Sequence, residues 1–370
     1  MKNLDCIQEI NSLSNKNTHI FAAANTHAGF VSYFDSLFAS AGLDRIYILK
    51  GGPGVGKSTL MKKAGKKALN EGFFPVFCHC SSDPKSLDGV IIPEKGCAIL
   101  DGTSPHVFDP VYAGSRDIIV NLGETWDTDY LYKKRESIKN LSDSKSACYK
   151  SAYRLLAAAK NAEDELSGIG MRCMNVKKAS LAAERLAAKL FNKKGGGKTS
   201  VTVCNALSCY GEVRFFTYEK MAETLYFVKD VKHTASAFFD KLYNLAKMSG
   251  TEVVAGIRPL APEQICMLYF PAVKLCISLY DDTFCQSLDK AGKMYKIINL
   301  ARFLDSEKYK TYRGKYKFTE KCCSSLLESA CGELERAGCF HAELERIYGN
   351  ATDYTVVSQM GDKVIRDIFG

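Results

Sequence analysis

The sequence predicts an α/β fold, laid out as two tandem three-layer α/β/α domains with helical extensions. Three observations carry that reading. A glycine-rich loop lies between a β-rich run and an amphipathic helix, short apolar runs alternate with helical ones, and an internal repeat recurs at a constant offset.

At 370 residues, 46% apolar and 25% charged, the chain is long enough for two domains of ordinary size. Its longest apolar stretch, Leu268 to Tyr280, is interrupted by Pro271 and Lys274, so no membrane span is expected. The start, Met1-Lys2-Asn3-Leu4-Asp5-Cys6, places an acid where a secretory signal needs an apolar core. The 15 cysteines, odd in number and set within apolar patterns, read as reduced thiols of a cytoplasmic protein. A net charge of +9, spread along both halves, suits anionic small ligands, and a nucleic-acid partner is not expected.

Taken in order, residues 1–17 form an N-terminal extension, and Arg45 to Lys50 is a short β-rich run. Gly51-Gly52-Pro53-Gly54-Val55-Gly56-Lys57-Ser58 follows, and then a helix from Thr59 to Glu71 with Leu60, Ala64 and Ala68 at helical spacing and Lys62, Lys63, Lys66 and Lys67 toward solvent. Strand, glycine-rich turn and helix in this order make a P-loop, so both domains are expected to be of the P-loop NTPase type. Small residues let backbone N–H groups wrap a phosphate, and the helix start adds its positive dipole end. Gly51 through Ser58 and Thr59 are therefore the expected nucleotide contacts. Lys57 reaches the β- and γ-phosphates of ATP, and Ser58 supplies a hydroxyl to Mg2+. The guanine-reading pattern Asn-Lys-x-Asp is absent, which favours ATP.

Phe73 to Cys80 reads as a second strand, followed by the turn Ser81-Ser82-Asp83-Pro84. A third strand, Cys97 to Leu100, ends in Asp101, the pattern of an acid that holds the metal shell beside the loop. Gly102 comes next, so the adjacent water-activating glutamate is missing and another base is required. His106, Asp83 and Asp88 are the candidates, each of which also suits an ordinary turn. In Cys78-His79-Cys80 only the two cysteines share a strand face; zinc would need further ligands such as Cys97 or His106, and His79 could instead line a substrate cleft.

Gly72, Val76, Pro84, Pro93, Ile99, Asn121, Leu122 and Asp127 recur as Gly250, Val254, Pro262, Pro271, Ile277, Asn299, Leu300 and Asp305, an offset of 178 (299 − 121). The same offset pairs Ala152 with Ala330, Glu165-Leu166 with Glu343-Leu344, and Phe191 with Phe369. Before the loop, Gly29, Val31 and Phe34 match Gly211, Val213 and Phe216 at an offset of 182 (211 − 29). The chain thus divides into a P-loop domain with helical tail (18–192), a Gly/Lys linker (193–199) and a second copy (200–370). In that register Lys229 to Ser236 lies opposite the loop, with every glycine gone and Ala235 in place of the lysine, while Asp101 falls opposite Leu279, two residues before Asp281. Copy two is expected to bind no nucleotide this way. Gly195-Gly196-Gly197-Lys198-Thr199 imitates a P-loop but follows a helix (Ala179 to Phe191) and precedes a β-like run (Ser200 to Cys204), the reverse of the required order. The first tail, Thr128 to Phe191, is expected to break near Gly168-Ile169-Gly170. Its Lys133-Lys134-Arg135 reads as a solvated helix face or a phosphate-closing lid.

Phe21-Ala22-Ala23-Ala24-Asn25-Thr26 with Gly29-Phe30, the loop through Leu60-Met61, His79 to Asp83, Ser86-Leu87-Asp88-Gly89, and Leu100 to Thr103 with Pro105-His106 together resemble a family of uncharacterised bacterial tandem P-loop ATPases related to nucleotide kinases. The resemblance covers nearly the whole chain and implies two P-loop folds and ATP binding. In that family the second copy usually keeps its own P-loop and an Asp-x-Thr-x-Pro-His segment, both lost here. Three functions follow as expectations: Mg-dependent ATP hydrolysis coupled to movement or to binding of a protein partner, a kinase acting on a small molecule or nucleotide, and a non-enzymatic ATP sensor.

Overall fold

The computed structural model describes residues 18–40, 42–191 and 197–370. The expected N-terminal extension, 1–17, and residues 193–196 of the expected linker lie outside the described residues. The linker's last residue, Thr199, is already strand. The sequence reading cuts the chain into consecutive halves, whereas its contacts group it into two compact units built from alternating segments. The first comprises Met1–Arg154, Ala206–Phe215 and Ser329–Gly370; the second comprises Leu155–Asn205 and Phe216–Glu328.

In the first unit the strands are β1 (Thr18–Phe21), β4 (Arg45–Lys50), β5 (Val76–His79), β6 (Leu87–Ile92), β7 (Cys97–Asp101) and β8 (Asp117–Asn121), in the spatial order β1-β5-β6-β7-β4-β8. All run in one direction except β6, which is antiparallel to both neighbours. Their nearly unbroken apolar runs are what a sheet covered on both faces requires, and β6 is buried at every residue. Two hairpin strands, β2 (Ala23–Thr26) and β3 (Gly29–Ser32), and helix α1 (Phe34–Ser40) precede β4, which leads into α2 (Lys57–Asn70). Leu60, Met61, Ala64 and Ala68 of α2 face the sheet, as the 3.6-residue spacing dictates.

The second unit repeats this order with β9 (Thr199–Val203), β12 (Thr224–Lys229), β13 (Val253–Ile257), β14 (Ile265–Phe270), β15 (Leu275–Leu279) and β16 (Lys296–Asn299), arranged β9-β13-β14-β15-β12-β16. Only β14 is antiparallel. The repeat seen in the sequence is therefore a repeat of strand order and direction. Its hairpin strands are β10 (Asn205–Ser208) and β11 (Gly211–Arg214), and α6 (Thr217–Met221) leads to β12. Helix α7 (Ala235–Met248) matches α2 in length, and α8 (Asp282–Lys290) has no counterpart in copy one.

The tails account for the alternating segments. After β8 come α3 (Thr128–Lys133), α4 (Arg135–Cys173) and α5 (Val176–Leu190); after β16 come α9 (Ser306–Asn350) and α10 (Tyr354–Phe369). Ala179, Ala183 and Ala187 of α5 pack with Phe238, Phe239 and Leu242 of α7 in the core of the second unit. Val364, Ile365 and Ile368 of α10 join Leu60 and Met61 of α2 in the core of the first. Burying three such side chains contributes on the order of 5 kcal/mol. Each tail thus completes the core of the other copy. Backbone bonds repeat the exchange: Asp127 N donates to Ala351 O (2.7 Å) in one unit, and Asp305 N donates to Cys173 O (2.8 Å) in the other.

The expected break at Gly168-Ile169-Gly170 does not occur, because α4 runs through it to Cys173. A helical glycine costs only about 1 kcal/mol. The chain turns instead at Met174-Asn175, where the Asn175 side chain accepts from Lys178 N and caps α5. Lys133, Lys134 and Arg135, at the α3 to α4 junction, are exposed. Among the described residues no helix is long and apolar enough to cross a membrane.

Candidate functional site

The loop between β4 and α2 has the backbone that its glycines permit. Gly54 (φ 74°) and Gly56 (φ 94°) occupy the left-handed region, where other residues are strained. α2 begins at Lys57, so its first N–H groups point into the loop. Lys57 Nζ donates to the carbonyls of Gly51 (2.5 Å) and Gly52 (3.2 Å) and to Thr103 Oγ1 (3.0 Å), and lies 3.2 Å from Asp101 Oδ2. Asp101 ends β7, adjacent to β4 in the sheet, and its other oxygen accepts from the N–H (2.9 Å) and hydroxyl (2.5 Å) of Thr103. Strand pairing thus brings loop, lysine and strand-end acid together. Ser58 Oγ accepts from Leu87 N at 3.0 Å, which fixes its rotamer. Val55 is buried, Pro53 is half-buried and Thr59 faces solvent.

The other candidates lie in different surroundings. His106 Nε2 is 2.9 Å from Asp88 Oδ2, both side chains are buried, and the imidazole stacks on Phe34 (4.6 Å between centroids) and meets Phe30 edge-on. Asp83 accepts from Lys85 N, as a turn residue does. His79 is buried and packs against the tilted Phe215 ring (4.5 Å between centroids), so it does not line an open cleft. Its Nδ1 donates to the Pro84 carbonyl (2.6 Å), which leaves Nε2 to accept from His19 Nδ1 (2.8 Å). Burial first and then the His19 ring lower its pKa to about 3. Cys78 is buried, and burial pushes its thiol far above the ordinary range. Cys97 Sγ contacts Lys95 O at 3.0 Å. Among the described residues no cluster of three or more His, Cys, Asp or Glu side chains is arranged to hold a metal.

The sequence reading missed what covers the loop. The end of α9 and the start of α10, the tail of copy two, close over it. A Cβ on Gly52 would meet the Tyr348 ring at 3.1 Å, one on Gly54 would lie 2.6 Å from the Glu345 carbonyl oxygen, and Tyr354 donates its hydroxyl to Gly54 O (2.8 Å). His341 and Glu345 of α9 and Lys145 of α4 bring titratable side chains to this face. His341 Nε2 is 3.6 Å from Glu345 Oε1, and the two side chains keep 46% and 49% of their surface exposed. Loss of hydration, then Lys145 and Lys57, lower the pKa of His341 to about 4. Loss of hydration and the charge of Asp83 raise Glu345, against the pull of Lys57 and Lys145. Lys145 is lowered by loss of hydration and by Lys57. No sequence pattern near the loop names these three residues, because α4 and α9 lie far from it in the chain. Comparison with known protein families, curated proteins and solved structures finds nothing that matches this chain.

Proposed function

We propose that the first unit binds one ATP with Mg2+ on the Gly51–Ser58 loop and hydrolyses it, as the sequence resemblance to tandem P-loop ATPases implies. The observation that carries this reading is the conjunction of two left-handed glycines, a helix start and Lys57 held 3.2 Å from the strand-end acid Asp101. A cradle of backbone N–H groups at a helix start suits phosphate. Oxygen donors from Ser58 and Asp101, with water and phosphate completing the shell, suit Mg2+. When bound, the metal neutralises phosphate charge. Lys57 holds the β- and γ-phosphates, Thr103 fixes the orientation of Asp101, and Tyr348 and Trp126 pack against Gly52.

Hydrolysis is preferred to phosphoryl transfer onto a small-molecule acceptor because, of the four side chains that could orient an acceptor hydroxyl, Asp88 and His106 are buried against each other and two phenylalanines, His79 is buried against Phe215, and Asp83 accepts from Lys85 N in its own turn. Coupling to movement or to a protein partner draws support from the tail of copy two, which lies directly on the loop. The test is turnover of wild-type and Lys57→Ala protein with ATP, Mg2+ and a metabolite panel, scoring free phosphate and phosphorylated acceptor separately. The expected outcome is free phosphate from the wild type and at least about a hundredfold less from Lys57→Ala, the loss of about 3 kcal/mol in charge-assisted hydrogen bonds. A phosphorylated acceptor in place of free phosphate favours the kinase reading.

A further inference from the structure

Hydrolysis needs a group to take a proton from the attacking water, and Gly102 stands where a glutamate beside Asp101 would serve. Asp88 is engaged with His106, and Asp83 with its own turn. Glu345 is a further acid on this face. Its backbone lies against Gly54, and its carboxylate is half-exposed, open to water and 3.6 Å from His341 Nε2.

We propose that Glu345, delivered by the tail of the second copy, is the catalytic carboxylate that activates water for ATP hydrolysis at the Gly51–Ser58 loop. This rests on the ATP reading above. The water oxygen bonds to the γ-phosphorus, and the bond from that phosphorus to the β,γ-bridging oxygen breaks. Its electron pair leaves on ADP, and the proton from water passes to Glu345 and then to solvent. The charged groups that face Glu345 are Lys57 from α2, Asp83 from the turn after β5 and Lys145 from α4, and the titratable His341 of α9 stands beside it in its neutral form. Their balance, with the loss of hydration, holds its carboxyl above the ordinary value, which makes it the stronger base. At the 178 offset the second unit has Ser167 in this position, so the copy without the glycine loop also lacks the acid.

The experiment combines equilibrium binding of a fluorescent ATP analogue with single-turnover phosphate release across pH, using wild type, Glu345→Gln, Glu345→Asp and Lys57→Ala. Glu345→Gln is expected to bind the analogue within about threefold of wild type, release phosphate at least about a hundredfold more slowly, and lose the acid limb of the rate profile. Glu345→Asp keeps that limb at an intermediate rate. Wild-type turnover by Glu345→Gln, with Lys57→Ala inactive, overturns this proposal and leaves ATP binding standing. Equal loss of binding and turnover in both Glu345 variants marks a packing role and also overturns it. Failure of the wild type to bind the analogue removes the ATP reading, and this proposal with it.

Discussion

After β4 the chain turns through residues 51–56 before α2; after β12 it turns through residues 230–234, one residue fewer, before α7. Strand register places Lys229 opposite Lys50 rather than in the loop, so Asp230 takes the place of Gly51. The second loop keeps the left-handed backbone without glycine, since Lys232 and His233 both have φ 57°. Such residues cost about 1 kcal/mol each. It also carries its own anion: Asp230 Oδ1 accepts from Thr234 N and Ala235 N, both at 2.9 Å, at the start of α7, the position where a P-loop receives phosphate. Glu163, at the position of His341, is buried between Arg258 (2.6 Å) and His233 (3.7 Å). Burial raises its carboxyl, but His233 and Arg258 outweigh that and hold it below the ordinary range. One backbone framework therefore serves two ends. Where the Asp230 side chain satisfies the helix start the loop is self-contained, and where Gly56 offers α2 no side-chain cap the proposed phosphate would take that place.

The largest effect that separates the units is acid sensitivity. His79 has a folded pKa of about 3 against about 6.5 unfolded, so the unfolded chain takes the proton first. The contribution of His79 is complete above pH 6.5 and falls by about 1.4 kcal/mol per pH unit as pH drops from there toward 3. The second unit has Val201 and Ile257 where the first has His19 and His79. Trp126, the single tryptophan and part of the first unit, should report its unfolding at a higher pH than does a probe in the second. His79→Phe should flatten that dependence; an unchanged acid transition in this variant removes the assignment.

Next in size is an exchange of bulk between loop and tail. Tyr348 packs on Gly52 in the first unit, and at the corresponding tail position of the second, Gly170 presses on Lys232, where a Cβ would lie 1.9 Å from its carbonyl oxygen. Tyr348→Ala and Gly170→Ala should each destabilise the protein by about 2–3 kcal/mol in denaturant titration, the first by a cavity and the second by overpacking. A neutral Gly170→Ala would mean that α4 does not press on the second loop. Smallest is Asp230→Ala, expected to cost about 1–2 kcal/mol through lost capping of α7 while leaving ATP turnover unchanged. An effect on turnover would tie the second loop to the site.

What the sequence made legible is what local pattern encodes. β4, α2, β7 and β8 are marked by apolar period and by turn residues, and the repeat offset shows that the second unit repeats the elements of the first, although it does not show the order in which the strands pair. Two things were not local. The offset pairs equivalent elements but says nothing of which core a tail completes, so the exchange of α5 and α10, and with it Lys145, His341 and Glu345, stayed hidden. Asp88 and His106 read as loop polar groups because Phe30 and Phe34, which bury His106, come from a hairpin and helix far upstream. Gly168 and Gly170 read as a break because their role is contact: Gly170 lets the Lys232 carbonyl approach α4.

The contrast between the two loops is tested most directly by calorimetric titration of the full chain with ATP and Mg2+. The account predicts one site per chain, lost in Lys57→Ala and unchanged in Asp230→Ala. Two sites, or one that survives Lys57→Ala combined with Ser58→Ala, would contradict it.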